Sequence, residues 1–583
     1  MRATMLGLSG ICLLAMSMPA RADDLKKLEG SWEGLLKVTE AIELRLVLRV
    51  ETRPDEAPKV VMDSPDQGAK DIPTDSATYD PKTEAVAIEL KIIGGSFSGK
   101  RNDAGTELVG VWKQSGMSWP ITLKKTDIKP LPTDVWEGTL MLPNDIKLRV
   151  VFRVTNNPDG SIRATMDSPD QGANGIKVDE AIRKDGKIQF VLKAIQGEYS
   201  GTINKEATEA SGEWKQGGAS FPLNLKKVPN ATEARRPQEP RFPYPYKTEE
   251  VVYENKEAGI KLAATLTVPQ GDGPFPAVVL ITGSGPQDRD ESLMGHRPFL
   301  VLADALTRRG IAVLRADDRG VGKSTGEFAR ATSIDFAGDV EAGVAYLKTR
   351  HEIQPKAIGL VGHSEGGLIA PIVATRTSDV AYIVLMAGTG LTGAEILEMQ
   401  SGLILQAMGG SESAVEGQKL AIRKLAAIAV SEPDPARSRD AMKLAVQSIR
   451  DALPESERKP LEVGQLDSRL DQFTSPWFRY FLSYDPRSTL KKVRCPVLAI
   501  NGEKDLQVPP KENLAEIEKA LKAGGNTSYT IRELPGLNHL FQACKTGTPS
   551  EYGSIEETLN PAALVLMGDW ILETAKRTGE GGR

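Results

Sequence analysis

The stretch GHSEG at 362–366 has the pattern G-x-S-x-G, with Ser364 between two small residues. It lies where the apolar run 357–364 ends and the helical stretch 365–376 begins. A nucleophilic serine requires this strand-to-turn-to-helix setting, because its backbone is strained and only glycine fits two residues before and after it. The pattern alone is weak evidence in a chain with 55 glycines. Together with its setting, it predicts that Ser364 is a nucleophile.

A nucleophilic serine needs a base, and the chain has four histidines. His539 lies in LPGLNHLF, directly after the last strand-like run, so it is the candidate that reaches over the sheet edge. For His363, next to the serine, we predict a structural role. His351 is expected in an exposed polar turn, and His296 either borders the pocket or, as we favour, is structural.

An acidic residue must hold the imidazole of the base in the correct tautomer. Asp505, in NGEKDLQVPP, follows the preceding strand and is the first choice, with Glu503 as its competitor. The chain order Ser364, Asp505, His539 is the order of α/β-hydrolases, which predicts a catalytic triad.

An oxyanion hole needs two backbone N–H groups directed at the developing negative charge. The residue after the nucleophile, Glu365, is expected to supply one of them. The other is expected from the loop GSGPQDRD at 283–290, with Ser284 as the first choice and Gly285 next.

The elements that must position these residues begin after residue 249. Val-, Ile- and Leu-rich runs alternate there with amphipathic helical stretches, which is typical of a mostly parallel sheet covered on both faces. The runs start at 276, 311, 357, 381, 496 and 528.

Between 387 and 495 this alternation stops and helical periods take over. We predict a helical lid insertion at 391–490 above the carboxyl ends of the strands. Its aromatic segment SPWFRYFLSY contains Trp477 and Phe478, candidate substrate-binding residues that could equally be the core of the lid.

Two copies of one module precede this domain. MDSPDQGA occurs whole at 62–69 and at 166–173, and SWEGLL at 31–36 recurs as VWEGTL at 135–140. Alternating apolar residues predict two small antiparallel β domains in tandem, each a barrel or a sandwich. The shared DSPDQG is either a ligand loop or, as we favour, a turn.

The first residues have the charge, apolar run and A-x-A site of a secretory signal, so we expect an exported, periplasmic or secreted protein. No later run is long enough to span a membrane. The domain plan is a signal peptide at 1–22, β repeats at 23–127 and 128–228, a proline-rich linker at 229–248 and the α/β domain at 249–583.

Several classes of function receive no support. A net charge of −5 with no basic patch argues against nucleic acid as a partner. No H-E-x-x-H or paired cysteine ligands indicate a metal, and the segment ending in GVGKS has Asp317 where a phosphate loop needs glycine. We expect Cys495 and Cys544 to be free thiols.

The motifs GHSEGG, GSGPQDRDE, DDRGVGKS, GEKDLQVPP and LNHLFQ resemble those of the EstD-type bacterial esterases of the α/β-hydrolase superfamily. They are less similar to the serine aminopeptidase and prolyl-iminopeptidase branch. The resemblance covers about 249–583 and implies a lidded serine carboxylesterase without a cofactor. It implies the triad Ser364, Asp505 and His539, and it leaves the two repeats unexplained.

The sequence therefore predicts an exported serine carboxylesterase that acts on small, short-chain acyl esters through an acyl-enzyme. One alternative is a serine aminopeptidase, in which Glu365 or a lid carboxylate would hold the substrate amine. A second is a binding protein that acts through the β repeats. The natural acyl and alcohol groups and the oligomeric state are not predicted.

Overall fold

The computed structural model describes residues 22–580, apart from 39–42, 52–57, 68, 91–92, 115–116, 127–132, 143–146, 158–159, 172, 233–234 and 453–466. Residues 1–21 of the predicted signal peptide lie outside the described residues. The chain divides between Thr133 and Asp134 into two compact units. None of the described helices is both long and apolar enough to cross a membrane.

The first unit contains a short helix, α1 (Ala22–Leu25), and a nine-stranded antiparallel sheet. Its strands are β1 (Gly30–Lys37), β2 (Glu43–Glu51), β3 (Lys59–Ser64), β4 (Ala69–Pro73), β5 (Ser76–Asp80), β6 (Ala85–Leu90), β7 (Gly95–Arg101), β8 (Glu107–Gln114) and β9 (Met117–Thr126). Their order is β4-β3-β2-β1-β9-β8-β7-β6-β5, so the first and last strands pair and the sheet forms a half-barrel.

The second unit begins with a sheet of the same design. Its strands are β10 (Thr133–Met141), β11 (Lys147–Asn156), β12 (Ile162–Ser168), β13 (Ala173–Lys177), β14 (Glu180–Lys184), β15 (Lys187–Leu192), β16 (Gly197–Ile203), β17 (Glu209–Gln216) and β18 (Ala219–Val228). The order β13-β12-β11-β10-β18-β17-β16-β15-β14 repeats that of the first sheet. The duplicated sequence therefore folds into two antiparallel half-barrels, each with its own apolar core.

The shared DSPDQG is a turn in both copies, as predicted. It forms one turn of 3₁₀ helix, at Pro65–Gln67 and again at Pro169–Gln171. Asp66 accepts the backbone N–H of Arg45 in the first copy, at 2.6 Å. In the second copy Asp170 accepts the equivalent N–H of Arg149, at 2.7 Å. The repeated aspartate therefore anchors the turn to the neighbouring strand.

The α/β domain has an eight-stranded sheet in the order β19-β20-β22-β21-β23-β24-β25-β26. Its strands are β19 (Lys247–Asn255), β20 (Ile260–Val268), β21 (Phe275–Ile281), β22 (Ala312–Ala316), β23 (Ile353–His363), β24 (Tyr382–Met386), β25 (Val497–Gly502) and β26 (Tyr529–Leu534). From β22 to β26 all neighbours are parallel, as predicted. The antiparallel strands β19 and β20 at one edge were not predicted from the sequence.

Helices cover both faces of this sheet, and an apolar cluster lies on each face. They are α2 (Pro298–Arg308), α3 (Ser333–Lys348), α4 (Glu365–Arg376), α11 (Pro510–Ala523) and α12 (Pro561–Glu580). Between β24 and β25 the chain forms the helical lid: α5 (Gly393–Ala407), α6 (Glu412–Ser431), α7 (Pro435–Ala452), α8 (Asp467–Thr474), α9 (Pro476–Ser483) and α10 (Pro486–Leu490).

The proline-rich segment that follows β18 is bonded to the α/β domain. The guanidinium of Arg236 donates to four backbone carbonyls of that domain, those of Met294, Gly295, Gly553 and Ile555. The second half-barrel also packs on the α/β domain, because a Cβ at Gly553 would overlap the carbonyl oxygen of Asp170 in the second 3₁₀ turn. The second half-barrel and the α/β domain are accordingly one compact unit.

Candidate active site

Ser364 stands at the sharp turn between β23 and α4. Its backbone has φ 54° and ψ −114°, a conformation that L-residues rarely adopt. A Cβ at Gly362 would overlap the carbonyl oxygen of Gly366, and one at Gly366 would overlap that of Ile281. The two glycines of the motif are therefore needed for the turn to close, and the turn exposes the serine at the start of the helix.

His539 and Asp505 meet at the same edge of the sheet. His539 follows β26 and Asp505 follows β25, so both come from the carboxyl ends of parallel strands. Asp505 Oδ2 accepts a hydrogen bond from His539 Nδ1 at 2.7 Å. Its Oδ1 accepts hydrogen bonds from the backbone N–H groups of Gln507 and Val508, each at 2.8 Å. The competing carboxylate, Glu503, instead accepts the backbone N–H of Gly536.

One cavity of about 270 Å³ is lined by Ser364 and His539 together, beneath the lid. The Ser364 hydroxyl makes no hydrogen bond to His539 in the described part of the chain, and such a gap is common before substrate binds. The apolar lining residues are Leu293, Ile396, Leu397, Trp477, Phe478, Phe481, Val508 and Leu540. Four glutamines also line it: Gln287, Gln400, Gln472 and Gln507. The structure thus brings Trp477 and Phe478 to the cavity wall.

The loop after β21 lies close to Ser364, since a Cβ at Gly283 would be 3.4 Å from the Cβ of Ser364. The N–H of Gly283 donates to Glu291 Oε1 at 2.8 Å. The next N–H, that of Ser284, has no acceptor among the described residues, and Ser284 lines the cavity. The N–H of Glu365, at the start of α4, also has no acceptor within the described residues. Both N–H groups predicted for the oxyanion hole are therefore available.

The side chain of Glu365 is buried between the lid and the sheet, with 2% of its surface exposed. Its carboxylate accepts the indole N–H of Trp477 at 2.9 Å and the hydroxyl of Ser333 at 2.6 Å. Burial raises the pKa of Glu365, and the hydrogen bonds only partly oppose that increase. Glu365 therefore connects α9 of the lid to the start of α3.

The other three histidines have distinct surroundings. His351 is exposed, as predicted, with 96% of its side chain accessible. His296 is buried away from the cavity and bonds to Thr558 and to the carbonyl of Tyr552. His363 lines the cavity, and its two ring nitrogens contact Glu291 and the carbonyl oxygen of His539.

Two residues that hold the oxyanion loop were missed from the sequence. Glu291 binds the N–H of Gly283, and Asp318 accepts the N–H of Gln287 at 2.9 Å and the hydroxyl of Thr282 at 2.8 Å. Glu291 ends the motif GSGPQDRDE, and Asp318 lies in DDRGVGKS. The spacing of these motifs does not indicate which atom of the loop each carboxylate binds.

The chain is similar in sequence to several known proteins. A family model described as X-Pro dipeptidyl-peptidase (S15 family) matches residues 258–532. Esterase EstD from Thermotoga maritima is 25% identical over 433 residues, which cover 73% of this chain and 89% of EstD. That share exceeds the catalytic domain alone, so the similarity extends into the N-terminal β repeats. An uncharacterized 31.7 kDa protein of Escherichia coli is 24% identical over 46% of this chain and 85% of its own length.

Solved structures with a similar chain trace include two esterases. Esterase Pf2001 from Pyrococcus furiosus is 16% identical with a TM-score of 0.35, covering 60% of this chain and 99% of its own. Est1E from Butyrivibrio proteoclasticus is 18% identical with a TM-score of 0.32, covering 56% of this chain and 98% of its own.

Proposed function

We propose that this chain, an EstD-like α/β-hydrolase, is an exported serine carboxylesterase that hydrolyses short-chain acyl esters through an acyl-enzyme on Ser364. The observation that carries the proposal is the single cavity that Ser364 and His539 share, with Asp505 bonded to the far nitrogen of the imidazole. A serine, a base and an acid in these positions have the geometry of acyl transfer.

The proposed reaction has two halves. Ser364 Oγ attacks the ester carbonyl while His539 takes its proton, and the negative oxygen is stabilised by the N–H groups of Ser284 and Glu365. His539 then gives the proton to the departing alkoxide, which leaves the acyl group on Ser364. A water molecule, deprotonated by His539, attacks the acyl-enzyme, and His539 returns that proton to Ser364 Oγ as the bond to the acyl group breaks and the carboxylic acid leaves.

The electrostatics of the cavity favour an ester over an aminoacyl substrate. An aminopeptidase needs a carboxylate to fix the substrate's ammonium group. Glu365 is buried and already accepts hydrogen bonds from Ser333 and Trp477, and Glu291 accepts hydrogen bonds from Gly283 and His363. Among the described residues, no other Asp, Glu, Lys or Arg lines the cavity. Its wall of apolar and amide side chains suits a neutral acyl group.

The alternative, a serine aminopeptidase, is favoured by one observation, the match to a family model described as X-Pro dipeptidyl-peptidase. The discriminating experiment compares acyl esters of increasing chain length with alanyl and prolyl amides. We expect short-chain esters to have a kcat/KM at least a hundredfold higher, a gap of about 2.7 kcal/mol in transition-state stabilisation. Comparable values for an alanyl or prolyl amide would replace the esterase proposal with the aminopeptidase.

The proposal of export rests on the sequence of residues 1–22, where Arg2 precedes an apolar run and ARA ends at Ala22. We expect the protein from its native host to begin at Asp23 when its amino terminus is sequenced. A protein that begins at Met1 and remains in the cytoplasm would contradict this part of the proposal.

A further inference from the structure

Two buried side chains beside the proposed triad form a chain of hydrogen bonds that the triad itself does not use. Glu291 Oε1 accepts two hydrogen bonds, one from the backbone N–H of Gly283 at 2.8 Å and one from His363 Nδ1 at 2.9 Å. On the other side of the ring, His363 Nε2 donates to the carbonyl oxygen of His539 at 3.1 Å. The two side chains are almost inaccessible, with 2% of Glu291 and 8% of His363 exposed.

Both ring nitrogens of His363 face acceptors, which determines the protonation state of the ring. A neutral imidazole has one N–H group, so it can donate to only one of these partners, whereas an imidazolium donates to both. Burial lowers the pKa of His363, but the charge of Glu291 and the bonds to Glu291 and to the His539 carbonyl outweigh it and raise the pKa above its ordinary value. Glu291 and His363 are therefore a buried ion pair.

We propose that the Glu291–His363 ion pair is a positioning device that holds the oxyanion loop and the His539 loop at a constant separation. The path runs from the N–H of Gly283 through Glu291 and His363 to the carbonyl of His539. This inference rests on the proposed function, because the groups it positions are the proposed donor and the proposed base.

The ion pair bonds the backbone next to the proposed catalytic groups, and through that backbone it positions the N–H of Ser284 and the imidazole of His539. Holding the N–H of Gly283 orients the following peptide, whose N–H belongs to Ser284. Holding the carbonyl of His539 restricts the loop that carries the imidazole, while Asp505 restricts the ring itself. A misplacement of about 1 Å at such a site can lower the rate on the order of a hundredfold. Both residues also line the cavity, but replacing Glu291 with Gln or His363 with Asn leaves a polar side chain there, so losing the pair should reduce kcat far more than it changes KM.

Two single substitutions break the path at different points. Glu291→Gln keeps the size of the side chain and an acceptor for Gly283 but removes the charge that keeps His363 doubly protonated. His363→Asn can still donate to Glu291, but it is too short to reach the carbonyl of His539. We expect each to lower kcat 10- to 100-fold with less than a threefold change in KM. We also expect the double variant to be no slower than the slower single variant, because both act through one path.

Asn526→Ala is the control, since Asn526 is a buried side chain of the same domain that donates to the carbonyls of Val493 and Cys495 before β25 and does not line the cavity. All kcat values are expressed per site labelled by a fluorophosphonate, so misfolded molecules do not count. The control is expected to lose thermal stability but to keep kcat per labelled site within twofold of the wild type.

The outcomes separate this inference from the proposed function. If the wild type is labelled at Ser364 but both variants keep kcat per labelled site within twofold, or if their losses multiply in the double variant, the positioning device is overturned and the esterase stands. If the wild type is neither labelled nor active on esters, the proposed function is overturned and this inference falls with it.

Discussion

Ser364 occupies a backbone conformation that costs free energy, on the order of 1–3 kcal/mol for a residue of this kind. The surrounding structure must compensate for that cost, and two backbone hydrogen bonds contribute to this. The N–H of Ser364 donates to the carbonyl of Met386 at 2.8 Å, and the carbonyl of Ser364 accepts the N–H of Gly367 at 2.9 Å. The strained turn is thus held from both neighbouring elements, with its hydroxyl free to react.

At the residue scale, the first prediction concerns the nucleophile. Ser364→Ala should abolish ester hydrolysis while the melting temperature stays within a few degrees, because the hydroxyl lines the cavity and packs against no core side chain. A fluorophosphonate probe should label the wild type and not the variant. Equal labelling of the variant would place the nucleophile elsewhere.

A second prediction at this scale separates the two roles of Trp477, whose ring lines the cavity while its N–H bonds to Glu365. Trp477→Ala should enlarge the cavity and shift the preference towards longer acyl chains. Trp477→Phe keeps most of the ring area, so the acyl profile should stay close to that of the wild type. It should nevertheless cost about 1–3 kcal/mol in stability, because the buried carboxylate loses a donor. The measurements are kcat/KM across an ester series and thermal unfolding.

The same prediction applies to Phe478→Ala, which removes a ring packed against Trp477 with 5.2 Å between centroids. An acyl profile that is unchanged in both alanine variants, with only stability lost, would make the two aromatics part of the lid core and not of the substrate pocket.

At the scale of elements, the parallel strands bring the site together by delivering each functional residue at a carboxyl end. The proposed nucleophile follows β23, the proposed acid follows β25 and the proposed base follows β26. The lid adds α9, whose Trp477 bonds to the residue behind the nucleophile. A parallel sheet can do this because all its carboxyl ends lie on one edge.

A further prediction at this scale is that Cys495 and Cys544 lie too far apart to form a disulfide. Cys495 precedes β25 and Cys544 follows the His539 loop, and both are free thiols in the structure. The strand between them runs several residues at about 3.3 Å each, which is too far for a disulfide. Titrating the unfolded, unreduced protein that lacks residues 1–22 should find two thiols. In the folded protein Cys544 should react slowly, because burial raises its pKa to about 11. Finding no thiols would refute this placement.

At the scale of the whole molecule, the second half-barrel belongs to the catalytic unit. Arg236 donates to the carbonyl of Gly553 within the Pro549–Ser554 turn and to that of Ile555 just after it, and Asp170 packs against Gly553. Next to Gly553, Tyr552 accepts a hydrogen bond from Gln507, two residues after Asp505. The half-barrel thus supports, through one turn, the loop that carries the proposed acid.

This arrangement predicts different results from two truncations. A chain of residues 134–583 should fold and keep kcat/KM within about threefold, because it is a compact unit by itself. A chain of residues 247–583 should melt at a lower temperature and lose most of its activity, because the carbonyls bonded by Arg236 and the face under Asp170 become exposed. The measurements are thermal unfolding and kcat/KM on one short ester. A stable, active 247–583 chain would contradict the supporting role of the half-barrel.

The sequence by itself determined the parts of this protein that depend on local pattern. Three local patterns reflect short-range sterics and burial. They are the period of two in the repeats, the alternation of apolar runs with helical stretches, and the glycines two residues before and after Ser364. They were sufficient to predict two antiparallel β domains in tandem, the mostly parallel sheet, the helical lid and the candidate residues at the strand ends, but not that each β domain is a half-barrel. The edge strands β19 and β20 were missed, because β19 is mostly exposed and β20, although buried, has alanine and threonine in place of an unbroken Val, Ile and Leu run.

Only the tertiary structure decided which side chains meet. In the structure, His539 bonds to Asp505 and not to Glu503. Glu365 accepts hydrogen bonds from Trp477 and Ser333, and Glu291 pairs with His363. Hydrogen bonds such as these depend on distances of a few tenths of an ångström between residues far apart in the chain. No periodicity or spacing encodes those distances, because they result from how the loops pack over the sheet.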